Sequence, residues 1–137
     1  MNPIRVLLVD ESPKFLEITA RFLEEQEDII VVGATDGDHE SLAQTPSLRP
    51  RVLIVDLGTP GLTNLGTVAQ LRAMMPDVGI IAMSLVRATG YRGAALAVGA
   101  DDFVLKAALA TDLLPAIRRA GQYAHSQEKS ADIGDLE

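Results

Sequence analysis

The sequence predicts a single α/β domain whose core is one parallel sheet of five strands, and two patterns predict it. Short runs of Val, Ile and Leu alternate along the chain with segments whose apolar residues recur at helical spacing, the order that builds a parallel sheet with helices on both faces. The runs are apolar at nearly every position, as strands covered on both sides are.

Arg5-Val6-Leu7-Leu8-Val9 is the first strand. Ser12-Pro13 follows as a helix N-cap with proline at the first helical position, and Phe15, Leu16, Ile18, Phe22 and Leu23 supply the apolar face of the first helix. Ile29-Ile30-Val31-Val32 is the second strand, and a turn through Asp36-Gly37-Asp38 leads to a short helix that ends before Pro46. Val52-Leu53-Ile54-Val55 is the third strand. Residues 63–75 carry Leu65, Val68, Leu71 and Met74 for a third helix stopped by Pro76, and Gly79-Ile80-Ile81-Ala82-Met83 is the fourth strand. Residues 86–98 read as a fourth helix weakened by Gly90 and Gly93, each costing about 0.8–1 kcal/mol against alanine. Residues 102–105 are the fifth strand. Thr111-Asp112 is expected to cap the last helix, with Leu113, Leu114, Ile117 and Ala120 inward and Pro115 tolerated in its first turn. The domain is assigned to residues 1–125, and the polar stretch 126–137 reads as a linker or frayed tail.

The chain has 137 residues, 47% hydrophobic and 23% charged, which suits one domain with a sizeable core. Twelve basic against nineteen acidic residues give a net charge of −7, which argues against a nucleic-acid surface on this chain, since phosphate neutralisation needs clustered Lys and Arg. Cysteine is absent, excluding disulfides, thiolate catalysis and thiolate metal sites, and His39 and His125 are too far apart in sequence to suggest a zinc motif. The N-terminus shows neither a signal-peptide core nor a span of about 20 apolar residues, so a soluble, cytoplasmic protein with no membrane contact is expected.

Asp56 is the most informative residue. It closes the third apolar run, so a buried parallel strand delivers its carboxylate to the edge of the sheet where open α/β folds bind ligands. The first strand ends in Asp10-Glu11, and the fourth and fifth runs end near Ser84 and Lys106. The three acids converge only if the first and third strands are neighbours, which the flavodoxin-like, doubly wound order 2-1-3-4-5 provides. Carboxylates gathered there either raise the pKa of one of them or recruit a hard divalent cation such as Mg²⁺, and the second outcome gives a phosphoryl site in which Ser84 and Lys106 meet phosphoryl oxygens and Asp56 is the nucleophile. Taken singly, each acid is more often a turn or helix cap, and Ser84 more often satisfies a strand end. Their joint placement after four strands favours the site.

In order and spacing, Asp10-Glu11, Asp56 within Val-Asp-Leu-Gly-Thr-Pro-Gly-Leu, Ser84 and Lys106 resemble a response-regulator receiver domain of two-component signalling over about residues 4–122. The resemblance implies that Asp56 takes a phosphoryl group from a sensor histidine kinase. It implies that Asp10 holds Mg²⁺ through water, Glu11 and Asp56 directly, and Gly58 by its carbonyl. Ser84 and Phe103 would be the switch residues that alter the surface of the fourth helix, fifth strand and fifth helix to control an output, transcription above all. Such a domain is no turnover enzyme; only Mg²⁺-dependent self-phosphorylation and autodephosphorylation are expected. Glu11 departs from the usual aspartate, and Gly58 from the larger side chain usual there. Ala107 after the lysine replaces a common proline and resembles the NarL/FixJ subfamily. A longer regulator of that kind is therefore expected, dimerising through receiver surfaces and reading DNA through a helix-turn-helix domain after Ser126, not through this chain.

Two other classes compete. A pseudo-receiver would keep the fold as a phosphorylation-independent protein-binding module, and the intact set Asp10, Glu11, Asp56, Ser84 and Lys106 argues against it. A flavin or cobalamin carrier would need a phosphate-binding loop or an Asp-x-His segment after the first strand, and Asp10-Glu11-Ser12-Pro13 is neither.

Overall fold

Val52 to Asp56 are buried at every position because both faces of this strand are covered. Val52 and Ile54 point into one apolar cluster and Leu53 and Val55 into another, so the run cannot alternate with polar residues. In the computed structural model, which describes residues 2–58 and 62–122, this strand is the centre of a five-stranded parallel sheet in the order β2-β1-β3-β4-β5. The strands are β1 (Ile4–Val9), β2 (Ile29–Thr35), β3 (Val52–Asp56), β4 (Gly79–Ser84) and β5 (Asp102–Leu105). The sheet and its strand order are those the sequence predicts.

The helices are α1 (Pro13–Glu24), α2 (His39–Gln44), α3 (Leu65–Met74), α4 (Tyr91–Ala97) and α5 (114–122). Helices α1 and α5 cover one face, where Leu23, Leu113 and Ile117 pack on Val6, Leu8, Ile54 and Met83. Helices α2, α3 and α4 cover the other, where Leu42, Val68, Leu71 and Ala95 pack on Leu7, Leu53 and Ile80. Each such large side chain contributes about 1.5–3 kcal/mol on burial, and truncating one, as in Ile54→Ala, costs about 2–5 kcal/mol.

Helix α1 starts as its sequence dictates, with Ser12 Oγ accepting the Phe15 N–H at 3.2 Å and Pro13 following the cap. Asp38 caps α2 in the same way through the Ser41 N–H, and Pro46 lies in the 3₁₀ turn Thr45–Leu48 beyond it. Two helices differ from expectation. The fourth is only the 7 residues of α4, because Gly90 sits at φ +89° and a helix cannot run through that conformation. The last does not begin at Thr111-Asp112: a 3₁₀ turn (Lys106–Ala108) and a π turn (Leu109–Leu113) precede α5, and Thr111 Oγ1 donates to the Ala108 carbonyl instead of capping. Pro115 has no N–H for the carbonyl one α-turn back, and the widened turn ahead of it accommodates that loss. Leu114 is only partly buried, and Ala116 joins Leu113, Ile117 and Ala120 inward.

Arg72, in the last turn of α3, ties the segment that leads into β4 to the segment that leads into β5. Its Nη2 lies 2.7 Å from Asp101 Oδ2, which also accepts the Ile80 N–H at 2.8 Å, and its Nε donates to the Gly99 carbonyl. The polar segment 126–137 lies outside the described residues, as does His125.

Candidate functional site

Strands β1 and β3 pair with Val9 opposite Val55, so Asp10, one step beyond β1, and Asp56, the last residue of β3, meet at the carboxyl edge of the sheet. Both are buried, at 5% and 8% exposure. Lys106 follows β5, two strands away from β3, and its long stem reaches back across the sheet edge. Its Nζ lies 2.6 Å from Asp10 Oδ2 and 3.2 Å from Asp56 Oδ1, one ammonium between two carboxylates. The other Asp10 oxygen accepts the Ser12 N–H at 2.8 Å, which ties the acid to the start of α1.

One cation against two carboxylates leaves the pocket negative. Burial pushes the Asp56 carboxyl above its usual range and the Asp10 carboxylate pushes it further; Lys106 and the Gly58 N–H pull the other way. That imbalance is what a hard divalent cation would relieve. Mg²⁺ takes one or two carboxylates, carbonyl oxygen and several waters, and Asp10, Asp56 and the Gly58 carbonyl are donors of that type. Glu11, by contrast, is exposed, and among the described residues no three Asp, Glu or His side chains stand close enough together to hold a metal.

Ser84 closes β4 opposite Leu105 and is buried, but its hydroxyl serves its own turn. Oγ donates to the Val86 carbonyl at 2.9 Å and accepts the Val86 N–H at 3.1 Å. Phe103 in β5 is half-buried, packing on the α2–α4 side of the core while lining a surface cavity of about 310 Å³ with Arg87, Arg92, Leu105 and Asp112. Gly58 has a backbone reason for lacking a side chain: φ is +92°, and a Cβ there would collide with Thr63 Oγ1.

Two residues of the site escape sequence reasoning. The Phe15 ring centre lies 4.0 Å from Lys106 Nζ, although its helical spacing marks it only as core. Asn64 Nδ2 donates to the Asp56 carbonyl at 3.0 Å, fixing the strand end from the start of α3; an asparagine in a loop carries no signal of that role.

The sequence pattern of the response regulator receiver domain matches residues 6–118. The chain belongs to that family. It is a receiver domain of two-component response regulators, and its relatives include transcriptional regulators. The transcriptional regulatory protein PrrA of Mycobacterium tuberculosis is 32% identical over 137 residues, covering 97% of this chain and 58% of PrrA. The nitrate/nitrite response regulator protein NarL of Escherichia coli is 30% identical over 119 residues, covering 87% of this chain and 55% of NarL, in keeping with the NarL/FixJ-like features of this receiver. The response regulator domain of Thermotoga maritima CheB superposes with a TM-score of 0.76 at 28% identity, over 88% of this chain and 98% of that domain. The chain thus spans little more than half the length of the curated relatives it matches. No helix among the described residues is long and apolar enough to cross a membrane.

Proposed function

We propose that Asp56 is the phosphoacceptor of this receiver and that Lys106 is its charge partner. The observation that carries the reading is the Lys106 ammonium buried between Asp10 and Asp56, at 2.6 and 3.2 Å. A structural ion pair needs one carboxylate, whereas a second one beside it, at a strand end and half neutralised, suits a reaction that brings in a phosphoryl group and a cation.

An Asp56 carboxylate oxygen forms the new bond to phosphorus as the donor's own bond to phosphorus breaks. The electron pair leaves with the donor, an imidazole nitrogen of a sensor histidine kinase or the acetate oxygen of acetyl phosphate, and an acyl phosphate remains. Lys106 offsets charge on the transferred group. Asp10, Asp56 and the Gly58 carbonyl would hold Mg²⁺, joined by Glu11 if its exposed side chain turns inward; the ion supplies positive charge to the phosphoryl oxygens. The domain is thereby modified once per signal rather than turning over a substrate.

Ser84 has to leave its turn with Val86 to donate to a phosphoryl oxygen, and the cavity beside Phe103 gives that ring somewhere to move. The two together make a two-state element biased by the new charge, altering the face formed by α4, β5 and α5. In this reading residues 1–125 are the receiver and 126–137 a linker within a longer, cytoplasmic, NarL/FixJ-like regulator that dimerises and reads DNA through a separate helix-turn-helix domain. A receiver of net charge −7 does not bind DNA itself.

Intact mass after incubation with acetyl phosphate and Mg²⁺ tests the assignment. The wild type gains one phosphoryl group, Asp56→Asn gains none, and a chelator stops the reaction. A labelled Asp56→Asn chain together with an unlabelled Asp10→Asn chain would overturn the choice of nucleophile.

A further inference from the structure

Thr19 lies in the middle of α1, fully buried, and its Oγ1 is the one buried side-chain oxygen or nitrogen among the described residues without a hydrogen-bond partner. Native interiors pair such groups with protein or with ordered water, because a stranded hydroxyl is destabilising. Thr19 follows Phe15 by one helical turn, so both face the sheet, and they wall a cavity of about 10 Å³ together with Asp10, Asp56, Leu8 and Ile54. That is at the lower end of the space one water needs, and Thr19, Asp10 and Asp56 are the polar side chains among the residues that line it.

We propose that this cavity binds a single water molecule that joins the Thr19 hydroxyl to the carboxylates of Asp10 and Asp56, making Thr19 a positioning residue for the phosphoacceptor. The water accepts the Thr19 hydroxyl proton and donates to the two carboxylates, a contact that Lys106 does not supply. Helix α1 then fixes the direction in which the Asp56 oxygens point, and alignment of the attacking oxygen is part of the barrier to phosphoryl transfer. The positioning half of this inference rests on Asp56 being the phosphoacceptor; the water site does not.

The test uses wild type, Thr19→Val and Thr19→Ser, with three measurements: water-to-protein cross-relaxation at Thr19 by NMR, melting temperature, and the rate of labelling by acetyl phosphate with Mg²⁺. The expected result is a long-lived water signal at residue 19 in wild type and Thr19→Ser, lost in Thr19→Val. Labelling of Thr19→Val is expected to slow roughly threefold to tenfold, the effect of one net hydrogen bond, and Thr19→Ser restores it. In a dry cavity Thr19→Val deletes an unsatisfied hydroxyl at nearly constant volume and raises the melting temperature. A raised melting temperature with unchanged labelling therefore overturns the proposal, as does a high-resolution crystal structure with Oγ1 turned onto the Phe15 carbonyl and no water. If the wild type takes up no phosphoryl group at all, the assignment of Asp56 fails, positioning falls with it, and the water signal and melting temperatures alone decide the site.

Discussion

The ammonium of Lys106 stands 4.0 Å from the centre of the Phe15 ring. Asp10 and Asp56 lie 2.6 and 3.2 Å from the same ammonium, the ring covers a further side of it, and a desolvated cation over an aromatic face gains about 2 kcal/mol or more against about 0.5–1 at the surface. A double-mutant cycle with Phe15→Leu and Lys106→Met, followed by denaturant unfolding, should return a favourable coupling of about 0.5–2 kcal/mol. Additive losses would mean that Phe15 is ordinary core. Phe15→Leu should also slow labelling by acetyl phosphate, since the freed lysine explores other rotamers, whereas Phe15→Tyr keeps the ring and the rate.

Helix α4 should be the least protected helix of the unphosphorylated domain. It has 7 residues and Ala95 as its one buried residue, and unlike the 6-residue α2, which Asp38 caps, it has no side-chain cap at Gly90, so little holds so short a helix. Before it, Leu85 and Val86 are exposed at 61% and 45% and contribute little burial to hold the segment. Hydrogen exchange is expected to open residues 85–97 well before α1 or α5. Equal protection of all helices would contradict this.

The sheet was legible because parallel strands buried on both faces leave unbroken apolar runs, and Asp10, Asp56 and Lys106 were legible because each follows such a run. What the sequence hid are interactions between distant segments. Phe15 and Thr19 face the sheet like any core residue, and only the fold brings Lys106 over the one and the carboxylates beside the other. Arg72 with Asp101 is similarly silent. Local geometry misled in two places: periodicity extended the fourth helix through Gly90, whose positive φ ends it, and Thr111-Asp112 looked like a cap although Pro115 displaces the regular turn beyond them. Ser84 is at its expected strand end, but its hydroxyl bonding to Val86 depends on a rotamer that no sequence pattern encodes.

The acyl phosphate should be long-lived. Gly58, two residues after Asp56, and Val86, two after Ser84, carry no polar side chain that could orient an attacking water. Gly58 is a poor place to test this, because its φ of +92° and the Thr63 hydroxyl strain any side chain there. Val86 is better: its backbone groups bond Ser84 while its side chain is half exposed, so Val86→Gln changes the polar contact and leaves the turn intact. Dephosphorylation followed by intact mass should show a half-life severalfold shorter in Val86→Gln. An unchanged half-life would remove water positioning from the explanation.

Asp56 should destabilise the fold at neutral pH when no divalent cation is present. Its carboxyl is pushed up by burial and then by Asp10, more than Lys106 restores, so the folded state holds the proton more tightly than the unfolded state does. The sign follows from that order. Below the unfolded value near 3.9 both states are protonated and the penalty is absent; as pH rises to and through the folded pKa it grows to its full size and stays. In chelator, Asp56→Asn is therefore expected to melt higher than wild type at pH 7, with the gap closing as pH falls toward about 4. Mg²⁺ at pH 7 should raise the wild-type melting temperature and narrow the same gap, because a cation bound by the folded state alone stabilises it. A wild type that melts above Asp56→Asn in chelator at pH 7 would show that Lys106 outweighs both burial and Asp10, and would remove the charge imbalance that makes this pocket a cation site.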